Sequence, residues 1–274
     1  HMSVLFAILV GIIQGLTEFL PISSSGHLCI MQNMFGMEDV ETNYFVFDIL
    51  LHLATLIAVC IVFWRDILNL IRAFFSLLRK ATSHRLHELD PDERMVIMLI
   101  VATLPLVAAV FLKDYVEIIY GYTKAIGAIL IFNGLVLFIS DFLARGDKGA
   151  ENAKYSDALV VGLCQLCALL PGLSRSGSTI TGGLLCGFRR DYAVKFSFIL
   201  SIPAIIGANI LAVPELFETP VPKSDIFAYI CGMAAALLTG IAAMKLLMYI
   251  SKKSNFRVFS IYCVIVGALA MIFG

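Results

Sequence analysis

The stretch from Gln14 to His27, which reads QGLTEFLPISSSGH, places polar residues in the middle of an apolar part of the chain. It follows directly on an apolar run, yet it carries a carboxylate at Glu18, three consecutive serines and an imidazole. Lipid offers these groups no hydrogen-bond partners, so irregular backbone at membrane depth persists only inside protein or against a wet cavity. Because Pro21 also interrupts a helix, we predict that the chain turns here within the protein.

The composition is that of a membrane protein. The 274 residues are 60% hydrophobic and 15% charged, with a mean hydropathy of +0.93, whereas a soluble domain carries about a quarter charged residues. Six windows nearly free of charge predict an all-α polytopic membrane protein with six transmembrane helices. These windows are residues 46–64, 95–112, 125–144, 193–212, 226–250 and 258–273. The formal net charge is zero, so nothing favours a nucleic-acid partner.

A second polar stretch interrupts the apolar sequence at residues 160–178, VVGLCQLCALLPGLSRSGS. A shift of 151 positions aligns it with the first stretch, and the identities fall mainly on polar and glycine positions. The matched pairs are Val10 and Val161, Gly11 and Gly162, Gln14 and Gln165, Ser23 and Ser174, Ser25 and Ser176, and Gly26 and Gly177. We therefore expect an internal duplication, and repeated membrane units commonly meet at a shared site.

Each polar stretch is predicted to be the turn of a re-entrant helical hairpin, at residues 3–35 and 157–188, because the arms are short for a full crossing. With two hairpins and six spans, the loops on one side of the membrane carry 16 Lys and Arg residues and those on the other carry 3. If each hairpin were a single crossing, the split would be 10 against 9, without the excess expected of cytoplasmic loops. If each hairpin instead made two complete crossings, every loop would lie on the same side of the membrane as before. The distribution of basic residues therefore leaves that alternative open.

This topology makes the chain one membrane domain, 1–274, built as an inverted repeat. The first repeat covers residues 3–144 and the second covers residues 157–274, and three spans between the hairpins give the two repeats opposite orientations. The first hairpin is expected to enter from the outside and the second from the cytoplasm, so that their turns meet near the middle of the bilayer. The polar residues would then face one another in a pocket lined by protein.

The residue types in the two turns suit phosphoryl chemistry. Both turns precede short helices, whose free N–H groups can bind an anion. The turns are Ser23-Ser24-Ser25-Gly26 and Ser174-Arg175-Ser176-Gly177. Arg175 adds a planar cation that suits phosphate oxygens, and Glu18, one helical turn after Gln14, could hold a divalent metal that bridges them. His27 offers a nucleophile or a proton donor and acceptor.

Each of these residues also has a purely structural interpretation. The serines of both turns would allow helices to pack closely, and Glu18 and Arg175 would neutralise one another as a buried pair. His27 would be a satisfied residue at the end of a helix. Asp48 and His52, four residues apart, would either line the entrance of the pocket or bond to each other.

Together, the two stretches resemble the signatures of the bacterial undecaprenyl pyrophosphate phosphatases, also known as bacitracin-resistance proteins. QGLTEFLPISSSGH is similar to the pattern (E/Q)-x-x-x-E followed by a Ser-Ser-x-Gly-His turn, and PGLSRSGSTIT, at 171–181, is similar to P-G-x-S-R-S-G-x-x-T. The order and spacing of the motifs extend the resemblance across essentially the whole chain. It implies a membrane phosphatase that removes the terminal phosphate of undecaprenyl pyrophosphate and so recycles the lipid carrier of peptidoglycan synthesis.

The resemblance also implies roles for individual residues. Glu18, Ser24, His27 and Arg175 are the implied catalytic residues. Substrate contacts are expected at Gln14, Ser23, Ser25, Gly26, Ser174, Ser176, Gly177 and Thr179, and we add Asp48 at the pocket entrance. A divalent cation, Mg²⁺ or Ca²⁺, is implied, with Glu18 and Gln14 as its ligands. Whether His27, Ser24 or a water molecule attacks the phosphorus stays open.

The expected setting is the bacterial plasma membrane, where a multi-pass chain would take a polyprenyl pyrophosphate from the surrounding lipid into a site reached from the outer face. Whether two copies of the chain form a homodimer stays open. Because an inverted repeat with broken helices is also typical of secondary transporters, a lipid-phosphate flippase or a transporter is the competing function. A module with only a structural role would leave Glu18 and Arg175, two ionisable residues at membrane depth, without an explanation.

Overall fold

The structure is a computed structural model that describes residues 2–35, 45–82, 89–143, 146–218, 221–253 and 255–274. Across these residues the secondary structure is helical, and the β contact found within them is an isolated bridge between Lys148 and Phe188. The prediction of an all-α chain is therefore confirmed.

The helices that the structure describes are numbered here in chain order. Those before residue 144 are α1 (Val4–Phe19), α2 (Ser24–Phe35), α3 (Phe45–Val62), α4 (Trp64–Thr82), α5 (Pro91–Thr103), α6 (Ala109–Tyr120) and α7 (Thr123–Leu143), with a 3-10 helix at Leu104–Ala108. Those that follow are α8 (Tyr155–Cys167), α9 (Arg175–Leu185), α10 (Arg190–Glu218), α11 (Ile226–Lys253) and α12 (Arg257–Phe273), with a 3-10 helix at Lys223–Asp225.

Several helical segments are long and apolar enough to cross a membrane. In the described part of the chain they are Phe45–Val62, Pro91–Leu112, Thr123–Phe142, Arg190–Pro214 and Lys223–Lys252. They coincide with five of the six predicted spans, which supports a multi-pass membrane protein. The sixth predicted span, 258–273, forms the apolar helix α12, whose 17 residues make it shorter than the other five.

The two polar stretches are breaks between short helices, as predicted. Helices α1 and α2, on either side of residues 20–23, have 16 and 12 residues. Helices α8 and α9, on either side of residues 168–174, have 13 and 11 residues. A helix that crosses a bilayer needs about 20 residues, so none of these four arms has the length of a full crossing.

Helices from the two halves of the chain pack in corresponding ways. Helix α1 lies along α11, and α8, its counterpart in the second half, lies against α5. Gly11 of α1 is in direct contact with the backbone of Gly232 in α11, and Gly162 of α8 is in direct contact with the backbone of Ala102 in α5. Small residues at such crossings let membrane helices approach closely. Gly11 and Gly162 are one of the pairs that the sequence shift matched.

A cluster of aromatic side chains fixes the end of α1 that leads into the first polar stretch. Phe19 packs edge-on against Phe198 of α10, with the ring centroids 5.6 Å apart, and Phe63 lies against the same ring at 6.1 Å. All three side chains are buried. Glu18, the neighbour of Phe19, is thereby held in the interior, close to the helices of the second half.

Candidate active site

The first polar turn contains a serine in an uncommon backbone conformation. Ser23 has a φ of 70°, in the left-handed region that residues other than glycine seldom adopt and that is often found at functional sites. Its Oγ accepts a hydrogen bond from the N–H of Gly26 at 3.2 Å and lies 3.4 Å from Oγ of Ser25. The turn therefore presents several hydroxyl groups where α2 begins.

The second polar turn repeats these contacts. Oγ of Ser174 accepts a hydrogen bond from the N–H of Gly177 at 3.1 Å and lies 3.1 Å from Oγ of Ser176. These three residues are the ones that the shift of 151 positions aligns with Ser23, Ser25 and Gly26. Both copies of the motif thus cap their second helix in the same way, with a serine side chain that satisfies a free N–H group.

The two turns are in contact, and Asn133 of α7 joins them. Its Oδ1 accepts a hydrogen bond from the N–H of Ser174 at 3.2 Å, and its Nδ2 donates one to the carbonyl oxygen of Pro21 at 3.0 Å. Ser176 adds a second connection, because its Oγ donates to the carbonyl oxygen of Leu20 at 3.1 Å. Sequence reasoning missed Asn133, whose signal was a single amide inside a predicted span.

Two glycines that were expected to contact substrate lie where the turns pack together. A Cβ atom on Gly26 would lie 2.9 Å from Cα of Gly172, a glycine of the second turn with a φ of 97°. A Cβ atom on Gly177 would lie 3.3 Å from Cβ of Pro21, a residue of the first turn. The lack of a side chain at both positions therefore serves the close approach of the two copies.

Glu18 brings together side chains from both copies. Its Oε1 accepts a hydrogen bond from Nη2 of Arg175 at 2.6 Å, while its Oε2 accepts from Nε2 of Gln14 at 3.2 Å and from Oγ of Ser24 at 3.4 Å. The Glu18 and Arg175 side chains are only 7% and 19% exposed. A buried ion pair costs desolvation and is weak evidence for a stabilising role, whereas ionisable groups at membrane depth are usually functional.

His27 lies at the other end of the first turn and is held through both ring nitrogens. Its Nδ1 is 2.7 Å from the carbonyl oxygen of Ser23, and its Nε2 is 2.9 Å from the hydroxyl oxygen of Tyr262 in α12. The two rings are stacked, with centroids 5.5 Å apart and an angle of 8° between their planes. Tyr262 belongs to neither motif, and sequence reasoning did not identify it.

The remaining predicted residues lie around this centre. Thr179 donates to the carbonyl oxygen of Arg175 at 2.9 Å, and its Oγ1 is 2.6 Å from Oγ of Ser197 in α10. Asp48 lies one turn from His52, with Oδ2 of Asp48 3.5 Å from Nδ1 of His52. The contact between these two residues, one of the alternatives left open by the sequence, is therefore present. The His52 imidazole is in turn close enough to Glu18 to interact with it electrostatically.

The oxygen atoms of Glu18 and Gln14 are of the type that Mg²⁺ and Ca²⁺ take as ligands. In the described part of the chain, no group of three or more His, Cys, Asp and Glu side chains is arranged so that it could hold a metal ion by itself. Gln14 Oε1, however, is buried without a hydrogen-bond partner, although Gln14 Nε2 donates to Glu18. Mg²⁺ is usually bound through one or two carboxylates together with phosphate oxygens and water, so one carboxylate and an unpartnered amide oxygen are compatible with such a site.

Comparison with known proteins identifies the family of the chain over nearly its whole length. The profile of the family described as "Bacitracin resistance protein BacA" matches residues 7–269. An undecaprenyl-diphosphatase from Methanobrevibacter smithii is 39% identical over 273 residues, which cover 98% of this chain and 96% of the relative. Two others, from Methanosphaera stadtmanae and Bacteroides fragilis, are each 37% identical, over 99% and 97% of this chain and 98% and 96% of the relatives. This chain therefore belongs to the bacitracin resistance protein BacA family.

Proposed function

We propose that this chain is an undecaprenyl-diphosphatase, which hydrolyses undecaprenyl pyrophosphate to undecaprenyl phosphate and inorganic phosphate. The observation that carries the proposal is the 2.6 Å contact between Glu18 and Arg175. It brings a carboxylate from the first motif and a phosphate-binding cation from the second into one site. Membership of the family and the activity named for its relatives support the same reaction. The product would return to peptidoglycan synthesis as the lipid carrier.

Arg175 and the starts of α2 and α9 are the proposed phosphate-binding groups. In phosphoryl transfer, charge spreads over the oxygens of the transferred group, so electrostatic stabilisation is the main requirement. The guanidinium has five N–H donors, and one of them is bonded to Glu18 in this structure. When the pyrophosphate binds, its oxygens compete with Glu18 for the guanidinium. The Glu18 carboxylate is then available to accept a proton or to bind a cation.

Ser24 is the nucleophile that the geometry favours. Its Oγ donates to Glu18, whereas both ring nitrogens of His27 have other partners. In this scheme Glu18 accepts the hydroxyl proton as Oγ of Ser24 attacks the terminal phosphorus, and the bond to the bridging oxygen breaks so that undecaprenyl phosphate leaves. Water then hydrolyses the phosphoserine to inorganic phosphate and restores the hydroxyl group. A phosphohistidine at His27 and direct attack by water are the alternatives.

Glu18 and Gln14 are the proposed protein ligands of a divalent cation, Mg²⁺ or Ca²⁺. When bound, such an ion neutralises charge on phosphate oxygens and helps to orient them. The proposal rests on the unpartnered Oε1 of Gln14 and its position beside the Glu18 carboxylate. In this family pattern a glutamate can replace Gln14, so the neutral amide here would bind the cation less strongly than a second carboxylate.

The proposed placement in the membrane is the one that the basic residues favour. In it, α1–α2 and α8–α9 are re-entrant hairpins, six helices cross the plasma membrane, and the site opens to the outer face. The short hairpin arms and the corresponding packing of α1 on α11 and of α8 on α5 support this inverted repeat. Single cysteines at Asp39 and Glu151, in a cysteine-free background, should react from outside intact cells at residue 39 and only after permeabilisation at residue 151. The reverse labelling would overturn this orientation.

Phosphate release from a polyprenyl pyrophosphate by the purified chain in detergent tests the function. A micelle has no gradient, so transport cannot produce the signal. We expect release by the unmodified chain and its loss in Arg175→Ala and His27→Ala, with undecaprenyl phosphate as the lipid product. Equal release by the unmodified chain and both variants would contradict the enzyme assignment and favour the flippase or transporter. In cells, production of the chain is expected to increase tolerance of bacitracin.

A further inference from the structure

Tyr262 lies in the last helix, 235 positions from His27 in the sequence, yet it is a direct neighbour of the candidate active site. Its hydroxyl oxygen is 2.9 Å from Nε2 of His27, and its ring stacks on the imidazole almost in parallel. Tyr262 is 41% exposed. It is therefore not needed to fill the core, and its contact with His27 requires a different explanation.

The hydrogen bonds of His27 determine which ring nitrogen carries the proton. A backbone carbonyl oxygen can only accept a hydrogen bond. Because Nδ1 lies 2.7 Å from the carbonyl oxygen of Ser23, Nδ1 must be the protonated nitrogen. In the neutral imidazole the lone pair is then on Nε2, which points at Tyr262, so the tyrosine O–H donates to Nε2. Since Nδ1 is bonded to the main chain, Nε2 is the nitrogen that can take up a proton and, once protonated, donate a hydrogen bond to a phosphate oxygen.

We propose that Tyr262 is a positioning residue of the phosphatase site, whose hydroxyl group occupies Nε2 of His27 until substrate replaces it. The hydroxyl group and the stacked ring together keep the imidazole in one tautomer and one orientation. If His27 takes up a proton at Nε2, the direction of the bond reverses, and the imidazolium N–H donates to the tyrosine oxygen. This inference rests on the proposed function, because it gives His27 a part in turnover, but it holds for each of the three nucleophiles considered above.

Separating the hydroxyl group from the ring tests the proposal. Tyr262→Phe keeps the stacked ring and loses the donor, Tyr262→Leu loses both, and Tyr262→Gln loses the ring but retains an N–H donor. Tyr122→Phe, in an exposed tyrosine between α6 and α7, is the matched control. Each full-length variant is purified in detergent, and kcat and KM for phosphate release from undecaprenyl pyrophosphate are measured. In parallel, the rate at which diethyl pyrocarbonate modifies His27 is measured by mass spectrometry of the peptide that contains it.

We expect Tyr262→Phe to lower kcat roughly tenfold, the scale of one hydrogen bond lost near the reacting groups, with little change in KM. Its His27 should react several-fold faster with diethyl pyrocarbonate, because Nε2 is no longer occupied. Tyr262→Gln should keep more activity than Tyr262→Leu, and Tyr122→Phe should match the unmodified chain in both measurements.

Two results would overturn the proposal. One is an unchanged reactivity of His27 in Tyr262→Phe, whatever the activity, because the hydroxyl group would then not occupy Nε2. The other is a faster modification of His27 without a fall in kcat, because the contact would then be irrelevant to turnover. If the unmodified chain released no phosphate at all, the proposed function would fail, while the modification rates would still show whether Tyr262 shields His27.

Discussion

Glu18 and Arg175 are 157 positions apart in the sequence, yet their side chains form a 2.6 Å ion pair in the interior. The pair joins the two copies of the duplicated motif at positions where the copies differ. Glu18 of the first copy is replaced by Leu169 in the second. Arg175 of the second copy is replaced by Ser24 in the first. Each copy therefore supplies one charge that the other lacks. A complete site requires both halves of the chain.

A double replacement distinguishes catalysis by this pair from simple charge neutralisation. Glu18→Gln or Arg175→Met alone leaves one buried charge unpaired and should destabilise the protein by about 3–5 kcal/mol. The double variant removes both charges, so its melting temperature in detergent should lie closer to that of the unmodified chain than either single variant does. Its phosphate release should nevertheless fall at least roughly a hundredfold, because the electrostatic stabilisation of the transferred phosphoryl group is lost.

A double variant that is stable and also releases phosphate at a substantial rate would assign Glu18 and Arg175 a structural role only. The proposed mechanism would then lose both its phosphate-binding cation and its base.

Asn133 offers a test of whether the contact between the turns matters for activity. In Asn133→Asp, an oxygen remains to accept from the N–H of Ser174, but the carbonyl oxygen of Pro21 loses its donor and faces a carboxylate. We expect the melting temperature to fall, since an unsatisfied buried group costs about 1–3 kcal/mol, and kcat to fall with it. Asn152→Asp, at an exposed residue between α7 and α8, is the control and should change neither quantity. Full activity in Asn133→Asp would show that the turns need no such connection.

Much of this architecture could be predicted from the sequence, because the deciding signals are local. Windows nearly free of charge predict the spans, and in each polar stretch a proline followed by serines and a glycine predicts the turn. The alignment of Ser23 with Ser174 predicted that the two turns would be equivalent, and their capping contacts agree. The meeting of Glu18 with Arg175 followed from the inverted repeat rather than from either motif alone.

Asn133 and Tyr262 could not be predicted in this way. Each reaches the site from an apolar helix, and one amide or one phenol among aliphatic residues has no periodic pattern that shows which way it faces. Helix α12, by contrast, coincides with the predicted span 258–273, although its 17 residues make it shorter than the other five apolar segments. The directions in which the Asn133 and Tyr262 side chains point depend on how α7 and α12 pack on the two turns.

Metal dependence tests the role assigned to Gln14. Removal of divalent cations with a chelator should abolish phosphate release, and Mg²⁺ or Ca²⁺ should restore it. Gln14→Met removes the unpartnered amide oxygen and should raise the cation concentration for half-maximal activity at least roughly tenfold, the scale on which even outer partners of a metal site act. Gln14→Glu should lower that concentration, because it adds a carboxylate.

The duplication supplies the control for this experiment. Gln165 is the matched residue in the second copy, and it is also buried with an unpartnered Oε1. Its Nε2 is bonded to the carbonyl oxygen of Ala102 instead of to a carboxylate. Gln165→Met should therefore leave the cation requirement as it is. Activity that persists in the chelator, or an equal effect of both replacements, would show that Gln14 is not a ligand of the cation.

A trapping experiment with terminally labelled substrate tests the choice of Ser24 over His27. Because Ser24 donates to Glu18 while His27 is held at both nitrogens, we expect the protein, quenched during turnover, to carry an acid-stable phosphoserine. The label should vanish in Ser24→Ala. An acid-labile label that survives in Ser24→Ala and is lost in His27→Asn would assign the attack to the histidine, and an unlabelled protein would assign it to water.

The helix crossings provide a test of the inverted repeat that does not depend on activity. A Cβ atom at Gly11 would collide with the backbone of Gly232, and one at Gly162 would collide with that of Ala102. Gly11→Ala and Gly162→Ala should therefore each destabilise the protein by about 1–3 kcal/mol, the usual cost of overpacking. The melting temperature of each purified variant in detergent measures this loss.

Gly207 of α10 supplies the control for the two crossings, because a Cβ atom there would have open space within 4 Å among the residues that the structure describes. Gly207→Ala should leave the melting temperature unchanged or raise it, since alanine favours a helix by about 1 kcal/mol over glycine. Equal stability of all three variants would contradict the close crossings. A loss of stability in only one of Gly11→Ala and Gly162→Ala would contradict the equivalence of the crossings in the two halves of the chain.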